Sequence, residues 1–303
     1  MRQIERISRI TVDDFVARYV IRGAPVVVTD GMDDWNGRDR WTPEYFDEHF
    51  GLLEVPVFDS LFSLVDLLPL GDFLKDSFNR NAPQENPGYV RWYSRFKNID
   101  LSWSDRAFEL LLKEWDHPYF LPRSSYVLPF CAPPDTILAS ESSFPYKGLF
   151  LSPAGARTRL HIDPFGTDAV LCQFFGTKAL TLYRPSEQRC LRRGNEFFDS
   201  QHPDLERFPE ALAAKPAFTD ELRPGEILYI PAGWLHEVIS IQDSISTTWN
   251  FAHASKRELF IRELLDPGNS FDRDMISFFF KSEDGRDLSV DRIVSLVNTV
   301  PVE

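Results

Sequence analysis

The residues with the most chemical potential are His161 and Asp163, one position apart, and His236 far downstream. On a β-strand, side chains at i and i+2 project to the same side, so His161 and Asp163 would face one barrel interior together. Two imidazoles and one carboxylate on a single face of an octahedron form the donor set of non-haem Fe(II) oxygenases. That face leaves positions open for a cosubstrate and O2. The motif alone is weak, because a histidine and an aspartate two apart arise often by chance. The chain has six histidines, so a third ligand downstream is unsurprising. The plain alternative is a hydrogen-bonded core histidine beside an aspartate. His49, His117, His202 and His253 have no such partners and are assigned no role.

Lys178 adds chemistry to the triad. It lies in the segment Gly176 to Tyr183, where alternation points a cation toward the interior of an otherwise apolar strand. A buried unpaired ammonium is costly and calls for an anion. The distal carboxylate of 2-oxoglutarate would serve, although an outward-pointing lysine is the commoner arrangement on a strand. Thr158 and Thr248 carry hydroxyls on the same presumed strands and could complete that carboxylate's hydrogen bonds.

These residues need strands to hold them. Leu149 to Ser152, Thr158 to Asp163, Ala169 to Phe175, Ala179 to Tyr183, Glu226 to Ile230, Glu237 to Ile241 and Ser244 to Phe251 read as strands. They are broken by turn clusters such as Ser152 to Gly155 and Arg223 to Gly225, a spacing that suggests a sandwich or barrel. His236 follows a turn, an apolar strand and the tight turn Pro231 to Gly233. Upstream, Thr11 opens a helix to Tyr19, Pro25 to Asp30 is a strand, and Thr42 with Pro43 starts a helix that ends near Gly51. Residues 53 to 58 read as an edge strand, because Pro56 cannot donate to a ladder. Ser104 to Trp115 has Phe108, Leu111, Leu112 and Trp115 on one helical face. Residues 185 to 224 read as an irregular insertion. Arg257 to Leu265, Phe271 to Phe280 and Ser289 to Asn298 carry apolar residues at helical spacing. The run Phe278 to Phe280 fits either core contact or a dimer face.

The 303 residues carry a net charge of −13. An acidic chain gains nothing from the counterion release that drives nucleic-acid binding, and it suits a neutral or basic partner better. Three cysteines without zinc spacing fit a reducing compartment. The first ten residues have no apolar leader, and no stretch approaches 18 apolar residues. A cytoplasmic, soluble protein without a membrane span is expected.

The motifs resemble those of the JmjC-type, cupin-like 2-oxoglutarate oxygenases. The blocks Pro145-Tyr146-Lys147 and Arg159 to Thr167 look like the iron-binding strand of that family. Gln173 to Lys178, followed by Leu182 to Pro185, is similar to its cosubstrate-lysine strand. His202 to Pro209, Pro25 to Thr29, Trp35 and Trp41 to Tyr45 resemble segments of its small hydroxylases. The resemblance implies a mainly β fold, a double-stranded β-helix (jelly-roll) core with N-terminal α/β elements and C-terminal helices. It implies Fe(II), 2-oxoglutarate and O2, with His161, Asp163 and His236 as iron ligands. Lys178, Thr158, Thr248 and Asn250 would line the cosubstrate pocket, and Tyr119 resembles a tyrosine that donates to its carboxylate. Many relatives carry an asparagine on the strand before the lysine; here Leu171 and Cys172 stand there, a departure from the family pattern at one polar contact to the cosubstrate.

The expected reaction is hydroxylation of a C–H bond on an amino-acid side chain of a protein or peptide, yielding succinate and CO2. Two other readings stay open: the same chemistry on a small metabolite or an RNA nucleoside, and a cupin-like binding protein that does not catalyse. Residues 1–253 are expected to form the oxygenase domain, and 254–303 a helical extension that could pair two copies as a homodimer. Loops within residues 60–100 and 185–224 are expected to set specificity. Arg91, Trp92, Tyr93 and Arg95 stand out there, although such a cluster is more often a packed surface.

Overall fold

A computed structural model of the chain describes residues 2–80, 85–93, 102–128, 148–269, 280, 286 and 288–302. Its strands are β1 (Arg6–Ile7), β2 (Val26–Val28), β3 (Glu54–Phe58), β4 (Leu64–Pro69), β5 (Tyr89–Tyr93), β6 (Tyr126–Leu128), β7 (Gly148–Ser152) and β8 (Arg157–His161). They continue as β9 (Asp168–Phe175), β10 (Lys178–Tyr183), β11 (Arg192–Arg193), β12 (Glu196–Phe197), β13 (Phe218–Leu222), β14 (Ile227–Ile230), β15 (Leu235–Ser240) and β16 (Ser244–His253). The helices are α1 (Val12–Phe15), α2 (Pro43–Phe50), α3 (Leu70–Ser77), α4 (Ser102–Leu111), α5 (Gln188–Leu191), α6 (Arg257–Leu265) and α7 (Val290–Thr299).

Two sheets face each other, antiparallel throughout except for the parallel β1–β2 pair. The large one runs β1-β2-β14-β9-β16-β7-β5-β3-β4, and the small one runs β13-β10-β15-β8. From β7 onward the chain keeps crossing between them. β7, β9, β14 and β16 lie in the large sheet, and β8, β10, β13 and β15 lie in the small one. This is a jelly roll. Turns with a left-handed glycine make most of the crossings. At Gly176 (φ 68°) a Cβ would sit 2.0 Å from the Asp243 carbonyl oxygen, so no larger residue fits that corner.

β9, in the middle of the large sheet, is buried from Asp168 to Phe174 because both faces of the sheet are covered there. The sheet's outer face packs Val170, Phe174, Trp249 and Leu151 against Phe15, Phe46 and Phe73 of α1, α2 and α3. Its inner face places Leu171 and Leu228 against Leu180 and Leu182 of the small sheet. Thr42 caps α2 by accepting from the Tyr45 N–H, with Pro43 as its first residue. Thr11 likewise caps α1, but the predicted helix to Tyr19 widens into a π-helical turn over Val16–Val20.

Several expectations are corrected. β3 lies between β4 and β5 and is not an edge strand. Pro56 is tolerated because β5 pairs only with Val57 and Phe58, beyond the proline. α4 runs Ser102–Leu111 and stops short of Trp115, although Phe108, Leu111 and Trp115 are buried as the spacing predicted. The insertion 185–224 is less irregular than it reads, since it contains α5, the β11–β12 hairpin and β13. β13 is masked in the sequence by Asp220, which faces inward and pairs with Arg6. Residues 145–147, 271–279, Arg95 and Cys131 lie outside the described residues. Phe280 is fully buried against the C-terminal helices, so at that position the phenylalanine run is core. Among the described residues no helix is long and apolar enough to cross a membrane.

Candidate metal and cosubstrate site

His161 ends β8, and His236 sits directly opposite it on β15. The ladder is irregular between His236 and Val238, and this break lets Thr158 share the inner side with His161. Asp163 follows two residues after the strand and opens a short 3-10 turn, Pro164–Gly166. The ligand atoms of His161, Asp163 and His236 all lie within 4.8 Å of one another. The Nε2 atoms of His161 and His236 are 4.0 and 3.8 Å from the two Asp163 carboxylate oxygens. Those separations are too long for hydrogen bonds and can be spanned by one ion.

The tautomers are set by the backbone. His161 Nδ1 lies 2.8 Å from the Arg159 carbonyl oxygen, and His236 Nδ1 lies 3.2 Å from that of Trp234. A carbonyl only accepts, so each Nδ1 is the donor and each Nε2 keeps its lone pair facing Asp163. Burial, reinforced by the neighbouring His236, holds the His161 pKa well below its ordinary value. The ring is therefore neutral, which is its ligating form.

Lys178 points inward from β10 and is 5% exposed. Among the described residues its hydrogen-bond partner is the Ser152 hydroxyl, at 3.5 Å across the interior on β7. No carboxylate lies within ion-pair distance of it among the described residues. Burial pulls its pKa down to about 8. An ammonium kept in such a place without a counter-ion is a receptor for an anion. The donor set and this cation together are chemically suited to Fe(II) and an anionic keto acid.

Other predicted residues distribute unevenly. Thr158 faces the interior, its hydroxyl 3.4 Å from that of Tyr89 on β5. Thr248 pairs with Leu171 of β9 in register, so both project to the inner side. Asn250 donates to the Thr167 hydroxyl, which in turn donates to the Pro164 carbonyl; its role here is holding the loop after Asp163. Tyr119 is not brought to the site. It is 44% exposed and donates to Asp30; partial burial, and after it the Asp30 hydrogen bond and charge, raise its pKa to about 12.

Tyr89 and Phe62 escaped the sequence reading as site residues, and Arg91 stood out there only as part of a cluster more often packed at a surface. Tyr89 is buried and stacks on Phe150. Alternation along β5 could have found it, since Tyr89 and Arg91 share the inner face while Val90 and Trp92 enter the outer core. Arg91 is not a surface residue of a packed cluster. Its guanidinium lies over Phe62, 4.3 Å from the ring centroid, and its charge adds to the depression of the His161 pKa. Phe62 meets His161 edge-on at 5.2 Å, from a left-handed position (φ 64°) in the β3–β4 loop. That loop is fixed by Asp59, which accepts from the N–H groups of Leu61 and Ser63. Nothing in the sequence marks Phe62, because its place depends on how that loop folds.

The chain has recognisable relatives. It is 25% identical over 264 residues to the 2-oxoglutarate and iron-dependent oxygenase JMJD4 of Gallus gallus, covering 82% of this chain and 60% of that one. It is 23% identical over 265 residues to the arginine-specific demethylase JMJ22 of Arabidopsis thaliana, covering 83% and 46%. It is 25% identical over 270 residues to the bifunctional arginine demethylase and lysyl-hydroxylase psr-1 of Caenorhabditis briggsae, covering 83% and 62%. The chain thus spans about half to three-fifths of the length of these relatives. The model of the cupin-like domain family matches residues 12–257, and with that match over most of its length and the jelly roll described above, the chain belongs to the cupin-like domain family.

Proposed function

We propose that this protein is an Fe(II)- and 2-oxoglutarate-dependent oxygenase that hydroxylates a C–H bond on an amino-acid side chain of a protein or peptide. The observation that carries the reading is the convergence of His161, Asp163 and His236 to within 4.8 Å, in the same interior as a buried Lys178 that has no carboxylate partner among the described residues. Bound Fe(II) with 2-oxoglutarate would activate O2, with release of succinate and CO2, to oxidise a C–H bond held beside it. His161 and His236 would supply neutral nitrogen donors and Asp163 the negative one, leaving the opposite face of the metal to cosubstrate and O2. Lys178 would pair with the distal carboxylate, and Thr158, Thr248 and Tyr89 offer hydroxyls for its remaining lone pairs. Leu171, Leu180 and Leu182 keep water from the interior between the sheets. Phe62 and Arg91 wall the His161 side and would orient what enters there.

A protein substrate is favoured by the relatives, whose names include a lysyl-hydroxylase and arginine demethylases. Hydroxylation of a side-chain carbon and of an N-methyl group make the same demand on the site. The two differ in product, since the second adduct loses formaldehyde. Mass spectrometry of candidate proteins and peptides, incubated with Fe(II), 2-oxoglutarate and O2, tests the reading. A gain of one oxygen, or loss of one methyl group, is expected with the wild-type chain and not with His161→Ala. Succinate formation with neither product, across basic and neutral peptides, would redirect the search to a small metabolite.

A further inference from the structure

The loop that follows Asp163 is built into a part of the molecule remote from the barrel interior. Phe165 adopts φ 63°, ψ 18°, a left-handed conformation that a bulky residue rarely holds. It is buried, and its ring packs into the C-terminal core with Phe260 and Leu264 of α6 and Ile293 and Val297 of α7. Gly166, also left-handed, lies against α6 so closely that a Cβ there would be 3.0 Å from Leu259 Cγ. Thr167 then closes the loop, its N–H and its hydroxyl both donating to the Pro164 carbonyl. Asp163 is therefore the first residue of a tight turn whose third residue, Phe165, belongs to the packing of the C-terminal helices.

A second link reaches the other side of the triad. Asp168, fully buried at the start of β9, accepts from Lys256 at the entry to α6 and, at 2.8 Å, from the Ala232 N–H. Ala232 lies in the turn Pro231–Gly233 that leads directly into β15 and His236. One carboxylate thus joins the C-terminal helices to the segment that presents the third ligand. Buried charges with several partners fix geometry well, because breaking any contact leaves an unpaired charge.

We propose that α6 and α7 are the positioning element of the metal centre, with Phe165 acting on Asp163 and Asp168 acting on His236. On this view residues 254–303 are part of the site's scaffold, and anything that shifts α6 changes metal affinity. The proposal rests on the reading of the triad as a metal site.

The test uses the full-length chain and Co(II) as the probe, followed by its visible absorption, with thermal unfolding measured on each variant. Phe165→Ala should weaken Co(II) binding about tenfold or more, the size seen when support of a metal ligand is lost. Phe165→Leu, which refills the core, should recover most of it. Phe46→Ala removes an equally buried ring from the outer core and should leave Co(II) affinity within about twofold while lowering stability. Gly166→Ala should also weaken binding, and adding Leu259→Ala should restore part of it by opening the space. Equal Co(II) affinity of Phe165→Ala, Phe46→Ala and wild type would overturn the inference. Should Phe165→Ala fail to fold, unchanged affinity in Gly166→Ala overturns it instead. A wild-type chain that takes up no Co(II) would sink the metal-site reading and this inference together; wild-type uptake with unaffected variants sinks the inference alone.

Discussion

His161 and His236 are Cα partners across the β8–β15 ladder, with ring centroids 4.1 Å apart. The strand pairing itself assembles the site, because it turns two histidines remote in sequence into neighbours. Asp163 closes the triangle from the loop beyond β8. Each ligand thus depends on a different local rule: a strand end, a ladder partner and a turn.

Asp163→Ala should remove metal-dependent stabilisation without unfolding the chain. Wild type with metal alone at about a hundred times its dissociation constant should gain roughly 2.7 kcal/mol. Thermal unfolding with and without Co(II) reads this directly. An undiminished shift in Asp163→Ala would show that the ion binds elsewhere.

Cosubstrate binding should depend on the charge of Lys178. Its pKa of about 8 in the ligand-free fold means the ammonium is present below pH 8 and is lost above it. Affinity for 2-oxoglutarate is then expected to be flat below about pH 7 and to fall about tenfold per pH unit well above 8. Lys178→Met should bind weakly and show no such fall. Calorimetric titration across pH measures both. In the ligand-free protein the sign is the reverse. The unfolded chain holds this proton up to about pH 10.4, so Lys178 penalises folding fully below pH 8 and the penalty fades between about 8 and 10.5, by roughly 2–4 kcal/mol.

Tyr89→Phe should weaken 2-oxoglutarate binding by about ten- to a hundredfold, the worth of about one hydrogen bond to a charged group. Tyr119→Phe should leave it unchanged, because that hydroxyl is spent on Asp30. The reverse pattern in paired binding titrations would restore the sequence-based assignment of Tyr119.

The Arg157 cluster should govern acid stability. Arg157 is 2% exposed and donates to Asp199 and Glu237, tying the insertion to the small sheet. Burial alone would raise the Asp199 pKa. The Arg157 hydrogen bond and charge, the Gln201 N–H and the Arg159 charge outweigh it and bring the value down to about 2. The stabilisation is present above the ordinary carboxylate range and is lost as pH falls from about 4 through 2, worth about 2 kcal/mol. Asp199→Asn should abolish that acid-side loss in urea unfolding between pH 5 and 2. An unchanged profile would contradict the assignment.

Much of this was legible in the sequence. The seven strands that hold the site, β7 to β10 and β14 to β16, follow alternation and turn residues, and the triad was flagged by the His161–Asp163 spacing and the family motifs, although Asp163 lies in the turn beyond β8 and not on the strand as that spacing assumed. Lys178 was readable because an inward cation on an apolar strand demands a reason. What was not legible depends on contacts between remote segments. Tyr119 misled because its motif is local, whereas the hydroxyl beside Thr158 comes from β5, which reaches the site only through sheet order. Pro56 read as an edge because sequence does not reveal that β5 pairs with β3 only beyond it. β13 was hidden by Asp220, whose burial makes sense only once Arg6 is seen opposite. Phe165 looked like a motif residue, and its packing against α6 appears only in three dimensions.

The most direct test of the iron and keto-acid site is an anaerobic titration of the protein with Fe(II) and then 2-oxoglutarate, followed by visible absorption. Wild type should develop the weak charge-transfer band of an Fe(II) chelate of the keto acid, saturating at one equivalent, while Asp163→Ala and Lys178→Met should not at the same concentrations. Iron uptake by wild type without that band, or an equal band in Asp163→Ala, would contradict the account.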